Sequence, residues 1–403
     1  MDRDARKLLA TRGLRAFAYG YLAVILTLYL QVMGLSPPEV GGVIAAAVAA
    51  SAATTLGWSL VADRYGRRRT LASAAAAMIA SGLLFAWGGS VWALVAGALT
   101  GTISASSSEV GPFITVEQVI LADSVPDAHR TWLFSIYDTL GSLAGAVGAL
   151  FSAVVSLLTH AGLSGAEAYR PLFVLYAVIG AVNLVIFLTL DERVERAHLH
   201  ARRSFTGLHR SRGTVAKLAA LFGLDAFAGG FVIQSLVVYW FHLRWGLSPV
   251  ALAVVFFWVG VLSGFSLLAA SWLAQRFGLL RTMVFTHLPS NILLMLVPLA
   301  PSAWLAVGLF LARMSLCEMD VPTRRSYTMA IVDPDERAAT AGLTNVARGA
   351  ASSVSPALSG LAFGAAALGL PFVIAGGLKV AYDLLTYRTF RSVHPPEERG
   401  PRH

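Results

Sequence analysis

Apolar residues in this chain gather into runs of about 20 or more, separated by short polar stretches. A membrane-spanning helix needs roughly 20 mostly apolar residues. Twelve runs meet that length, at about 15–35, 39–62, 70–89, 92–122, 131–158, 169–190, 214–242, 249–274, 282–300, 303–332, 338–364 and 370–389. The fourth, fifth, seventh, tenth and eleventh exceed what a crossing requires, which implies tilt or extension beyond the bilayer. Pro112, Pro322 and the pair Gly229-Gly230 mark weak points in the fourth, tenth and seventh runs. After the sixth run the pattern stops: residues 191–212 hold six Arg, three acids and three His. This is a linker, and a solvated segment is a simpler reading than a lipid-binding one.

The two sides of the linker repeat one another. Ser59-Leu-Val-Ala-Asp-Arg-Tyr-Gly-Arg-Arg-Arg-Thr70 matches Ser271-Trp-Leu-Ala-Gln-Arg-Phe-Gly-Leu-Leu-Arg-Thr282 at half its positions, with a constant offset of 212. The same offset relates Gly34-Leu-Ser-Pro37 to Gly246-Leu-Ser-Pro249. The expected fold is therefore all-α and integral to a membrane. Its twelve transmembrane helices form two six-helix bundles, 1–190 and 214–403, related by an internal repeat and joined by a cytoplasmic linker at 191–213.

Composition strengthens this reading. Of 403 residues 56% are apolar and only 13% charged, about half the charge of a soluble domain; mean hydropathy is +0.67. The net charge of +9 suggests nucleic acid until its distribution is considered. Arg170 and Arg244 lie in loops on one side, and Arg313, Arg324, Arg325, Arg348 and Lys379 lie within runs. The rest of the 31 Lys and Arg residues fall at the termini, in loops or at the run ends on the other side. That asymmetry is the positive-inside pattern. It places both termini in the cytoplasm, most simply of a cell bearing this protein in its plasma (inner) membrane, and removes any need for a nucleic-acid partner. Cys317 is the one cysteine, so no internal disulfide forms. The first run continues into helical sequence without a small-residue cleavage pattern and reads as an uncleaved first span.

The segment Ser59-Leu60-Val61-Ala62-Asp63-Arg64-Tyr65-Gly66-Arg67-Arg68 resembles the motif Gly-x-Leu-Ala-Asp-Arg-x-Gly-Arg-Lys/Arg of the major facilitator superfamily. Ser59 and Val61 replace its first Gly and its Leu. With a degenerate second copy and the twelve-run frame, the resemblance covers nearly the whole chain. It implies alternating access and a conformational latch made by Asp63, Arg64, Gly66, Arg67 and Arg68, weaker in the second copy where Gln275 replaces the acid. Gly66 is expected to turn the chain with positive φ.

Ionisable residues inside spans cost about 2.5–3.5 kcal/mol each if they face lipid, so Glu109, Glu117, Asp138, Asp225, Arg313, Glu318, Asp320, Arg324, Arg325 and Arg348 must face water or one another. The resemblance places the first, fourth, seventh and tenth spans around a central cavity. Glu109 and Asp225, with no Arg near them in sequence, are the preferred proton carriers; Glu117, Glu318 and Asp320 are further candidates. Glu318 and Asp320 are alternatively counter-ions to Arg313, Arg324, Arg325 or Arg348. Tyr19, Tyr21, Phe227, Gln234, Tyr239, Trp240, Arg313 and Arg348 are candidates for the wall of a substrate cavity. His160, His242 and His287 are isolated and read as loop or interface histidines. Gly141, Gly145 and Gly148 keep three glycines of the fifth-span motif of drug:proton antiporters but lack its proline, and no Arg lies between Ala93 and Glu109.

The expected function is secondary active transport of a small organic solute, without cofactor or metal, by a monomer, as proton-coupled efflux. An organic-anion carrier or uniporter using Arg313 and Arg348 is the alternative within transport. A non-transporting sensor or a polytopic membrane enzyme is the alternative from another class, although no nucleotide loop or metal-ligand spacing supports an enzyme.

Overall fold

The computed structural model describes residues 3–108, 111, 113–125, 127–195, 208–333 and 335–393. Among them are α-helices and short 3₁₀ turns but no strand. The first three spans are single helices, α1 (Arg3–Val32), α2 (Pro37–Tyr65) and α3 (Arg67–Trp87). The fourth divides into α4 (Val91–Leu99) and α5 (Phe113–Asp123), the fifth into α6 (Asp127–Phe151) and α7 (Val154–His160). The sixth is α8 (Arg170–Leu188). The seventh divides into α9 (Arg212–Gly230) and α10 (Gln234–Trp245); α11 (Pro249–Phe277) and α12 (Leu279–Leu296) are continuous. The tenth and eleventh divide into α13 (Ala303–Cys317) with α14 (Asp320–Ala330), and α15 (Arg337–Ser352) with α16 (Ser355–Gly364); α17 (Leu370–Phe390) closes the set.

The divided spans are the five that sequence made too long. Their extra length goes into a break, where tilt or extension was expected. Pro322 falls in the first turn of α14, where a missing N–H costs nothing, and α9 stops at Gly230 as its glycine pair suggests. Among the described residues eight stretches are by themselves long and apolar enough to cross a membrane. The others are the divided fourth, tenth and eleventh spans and α17, which carries Lys379, Asp383 and Arg388.

The repeat is visible in the backbone. Gly34 and its counterpart Gly246 have φ of 86° and 62°, and Gly66 and Gly278 have 104° and 88°, a region that L-residues with side chains avoid. Ser90 and Ser302, again 212 positions apart, cap α4 and α13 by accepting hydrogen bonds from the third residue on, each at 3.3 Å. The same local chemistry starts the fourth and tenth spans.

By packing, the described residues fall into two units. The first holds the chain up to the linker together with 233–260 and 356–366. Within it α1 lies against α6: a β-carbon at Gly20 would overlap the carbonyl of Gly145, and one at Gly148 would overlap that of Phe17. The fifth-span glycines thus form the track on which α1 rests. Gly41 of α2 meets Gly360 of α16 backbone to backbone. The second unit packs α9 with α15 and α17, and α12 with α13, α14 and α17, around a core that includes Phe222, Met283, Tyr327, Tyr382 and Phe390.

Candidate functional site

Each unit contains a buried polar cluster. In the first, Glu117 of α5 is fully buried and takes hydrogen bonds from Arg15 Nη2 at 2.7 Å, Tyr137 Oη at 2.7 Å and Thr11 Oγ1 at 3.2 Å. Arg15 is as buried as its partner, and its guanidinium covers the Phe113 ring at 4.3 Å. Arg12, one turn earlier on α1, lies over the Tyr137 ring. Its guanidinium occupies the space a β-carbon at Gly141 would fill. Sequence placed Arg12 and Arg15 with the cytoplasmic basic residues; packing draws both into the interior, Arg15 as the counter-ion of Glu117 and Arg12 onto the Tyr137 ring.

The second cluster centres on Asp225 of α9. Its Oδ2 accepts from Arg324 at 3.0 Å and Arg348 at 3.2 Å, and its Oδ1 accepts from Lys379 at 2.6 Å. Asp225 has no Arg near it in sequence, yet the fold gives it three cationic partners. Its partners lie 99, 123 and 154 positions away, on α14, α15 and α17. Arg324 also holds Asp320 at 2.8 Å across one helical turn, as the i,i+4 spacing allows. Arg348 makes one hydrogen bond, and 30% of its side chain is exposed.

Arg313 differs from its neighbours. It was expected to pair with an acid of its own span, yet it forms no ion pair with any described residue. It is 9% exposed; its Nη1 hydrogen-bonds only to the sulfur of Met314, and its Nε has no partner. Glu318 marks the break between α13 and α14 and is half-buried. It accepts a weak hydrogen bond from Cys317. Arg325 is exposed.

A third set lies between α12 and α17. His287 Nδ1 lies 2.8 Å from Asp383 Oδ1, to which it donates when the carboxyl is ionised, and 3.2 Å from the Asn291 amide nitrogen, which donates to Asp383 Oδ2 at 2.9 Å; all three residues are buried. The reading of His287 as a loop or interface histidine is thereby corrected. Nothing in its neighbouring sequence showed this, since Asp383 is 96 positions on.

The fourth span has the widest break. Between α4 and α5 the chain is non-helical through Thr100–Ser108, and Thr102–Ala105 are buried. Irregular backbone at membrane depth must find partners inside the protein. Here the Thr102 carbonyl accepts from Tyr176 Oη at 2.6 Å, the Ala105 carbonyl from Ser235 N at 2.9 Å, and the Gly111 carbonyl from Thr55 Oγ1 at 2.9 Å. Sequence read 92–122 as one helix; the signal was Thr100-Gly-Thr-Ile-Ser-Ala-Ser-Ser-Ser108, poor in helix formers. Glu109 lies outside the described residues, so the first-choice proton carrier of this span has no geometry here.

At the helix 2–3 motif, Gly66 takes the expected positive φ. The carboxylate of Glu195 sits where a side chain at Gly66 would be, accepting from the backbone N–H of Arg67 at 2.8 Å and Arg68 at 3.1 Å. This use of a carboxylate at a helix N-terminus was not anticipated. The side chains of Asp63 and Arg64 are outside the described part of the structure. Among the expected cavity aromatics, Tyr19, Tyr21, Tyr239 and Trp240 are fully buried. The Tyr21 hydroxyl is taken by the Leu172 carbonyl, and Tyr239 packs on Phe363. Phe227 and Gln234 are half-buried, at the two sides of the break between α9 and α10.

Broken apolar helices that carry buried charge, in a chain whose repeat is visible in its backbone, fit a secondary transporter of small molecules. The chain belongs to the Major Facilitator Superfamily, whose model matches residues 8–356. An uncharacterized membrane protein of Saccharomyces cerevisiae, YJR124C, is 27% identical over 97% of this chain and 95% of its own length. A Na(+), Li(+), K(+)/H(+) antiporter of Planococcus maritimus is 33% identical over 111 residues, 26% of this chain and 25% of that one. The solved nucleoside transporter NupG superposes with a TM-score of 0.75 over 97% of this chain and 100% of its own, at 14% identity.

Proposed function

We propose that this transporter is a proton-linked carrier of a small organic anion. The observation that carries the reading is Arg313: a guanidinium buried in a membrane span without a carboxylate partner among the described residues. A buried charge with no ion-pair partner among the described residues, resting on the Phe310 ring and the more distant Glu318, costs several kcal/mol, and a bound anion lowers that cost. Arg348, a third exposed and with donors to spare, is the second contact; guanidinium groups suit carboxylate or phosphate oxygens held in pairs. Solute oxygen at Arg348 competes with Asp225 for the same donor, which couples the solute to the network. Glu117 and Asp320 act as counter-ions. Glu318, at the helix break beside Arg313, stays a candidate proton carrier. The two six-helix halves rock about the site, with Gly66, Arg67 and Arg68 held by Glu195 at one hinge and Asp63 and Arg64 completing the latch. The basic loops support cytoplasmic termini.

A second reading is proton-driven export by antiport. It is supported by the fifth-span glycines and by the partial likeness to a cation:proton antiporter. One experiment separates the two. Proteoliposomes containing a pH-sensitive dye are challenged with anionic, neutral and cationic solutes, with Na⁺ and K⁺ in the panel. Protons moving together with anions, and lost in Arg313→Ala, support the proposal. Counter-movement of protons supports antiport. A response to cations alone, indifferent to Arg313, overturns the anion reading.

A further inference from the structure

The His287–Asp383–Asn291 set lies on α12 and α17, apart from Arg313 and outside the groups used above. Asp383 is fully buried, and a buried carboxylate is tolerated when it is paired and hydrogen-bonded. It has two hydrogen-bond donors, but only one of them, His287, can carry charge. The next cation on its own helix is Lys379, one turn earlier and therefore on the same face. Lys379 is already committed to Asp225 at 2.6 Å. The two buried carboxylates thus depend on one lysine to different degrees, according to the state of His287.

The remaining titratable groups around the imidazole are few. On α17 they are Asp383, Lys379 and Tyr382, whose ring meets the imidazole edge-on. Asp225 of α9 lies within electrostatic reach. On α14 Asp320 and Arg324 bond to each other, and Tyr327 donates to the Phe390 and Val393 carbonyls. On α13 Arg313 and Cys317 hydrogen-bond to Met314 and Glu318.

We infer that His287 is the proton-binding site of the transport cycle, linked to the anion site through Lys379. This rests on the anion-carrier reading for what the proton accomplishes, but not for where it binds. The Nδ1–H stays on Asp383, and Nε2 has no protein partner among the described residues. A proton delivered by hydronium adds to the Nε2 lone pair and leaves a water molecule behind. With His287 neutral, the acids Asp225, Asp320 and Asp383 balance Arg324, Arg348 and Lys379. The added proton leaves the set one positive charge in excess, which an anionic solute cancels. Proton and anion therefore strengthen each other's binding, and the coupling is reciprocal. When His287 loses its proton, Asp383 competes with Asp225 for Lys379 and the anion site loosens.

The test uses the full chain in lipid nanodiscs with isotope-labelled histidine, the His287 signal being assigned by its loss in His287→Gln. The imidazole is followed by NMR between about pH 5 and 9, where histidines change charge. It is expected to titrate, and its midpoint to move by about half a pH unit or more in Lys379→Met, because a nearby charge has been removed. Should that variant not fold, Asp225→Asn changes the same contact and is expected to move the midpoint as well. A His287 that keeps one protonation state throughout, or whose midpoint ignores both substitutions, overturns the inference. No solute is needed, so failure of the anion reading leaves this result standing. If anion exchange is also found, His287→Gln is expected to flatten its pH profile while exchange persists.

Discussion

The two buried clusters solve one problem in opposite ways. In the first unit a single acid, Glu117, meets Arg15, Tyr137 and Thr11 with no exposed edge. In the second, Asp225 is shared among three cations, one of which keeps almost a third of its side chain open to solvent. The signs are also exchanged: the span that opens the first half supplies cations, and the span that opens the second supplies the acid. A pair shut off from solvent on both sides can only be made or broken. A carboxylate divided among three donors can give up one and keep two, which suits a site that must exchange partners during each cycle.

If that contrast is real, breaking the closed pair is the most costly change. Glu117→Gln leaves Arg15 charged and buried, and is expected to lower stability by about 3–5 kcal/mol, measured as the unfolding midpoint in detergent. Replacing both partners by apolar residues, Arg15→Met with Glu117→Leu, is expected to recover most of that loss. Asp225→Asn is expected to cost less, about 1–3 kcal/mol, because Arg324 keeps Asp320, Arg348 keeps water and Lys379 keeps Asp383 within electrostatic reach; solute exchange in proteoliposomes is expected to fall far more than the melting temperature. An equal loss of stability in the two variants sinks the comparison. Gly141→Ala presses on the Arg12 guanidinium, whose tip can swing aside, so about 1 kcal/mol is expected in the same melting assay.

The smallest effect concerns Glu336, which precedes α15 and closes the start of α9. A hydrogen bond with the Ser211 side chain, followed by bonds from the backbone N–H groups of His209, Arg210 and Ser211, holds its carboxyl down to about 2. Its ordinary value is 4.5, so as pH falls below that the unfolded chain takes up the proton before the folded one does. The stabilisation is complete above about pH 4.5 and disappears as pH falls toward 2. Glu336→Gln is expected to remove that slope from an acid-unfolding curve while leaving neither cluster changed.

Much of the frame was legible because it is local. Apolar run length, the 212-residue offset and the positive-φ glycines are each written within a few positions. So is the Asp320–Arg324 pair, set by helical spacing. What sequence missed lies between spans. Arg15 and Glu117 are 102 positions apart, and Asp225 draws its cations from three other spans. Hydropathy also passes over a break such as Thr100–Ser108, since Ser and Thr that bond within the protein are as acceptable at depth as a continuous helix.

That same stretch between α4 and α5 gives the chain spare contour. The nine residues Thr100–Ser108 wound as helix would span roughly 14 Å, whereas the same residues drawn out reach about twice that. The two halves of the fourth span are therefore not one rod: the stretch after α4 is held by Tyr176 and Ser235 of other spans, and a turn of one half need not carry the other with it. A rigid rod crossing a membrane passes every displacement at one face to the opposite face. This span need not.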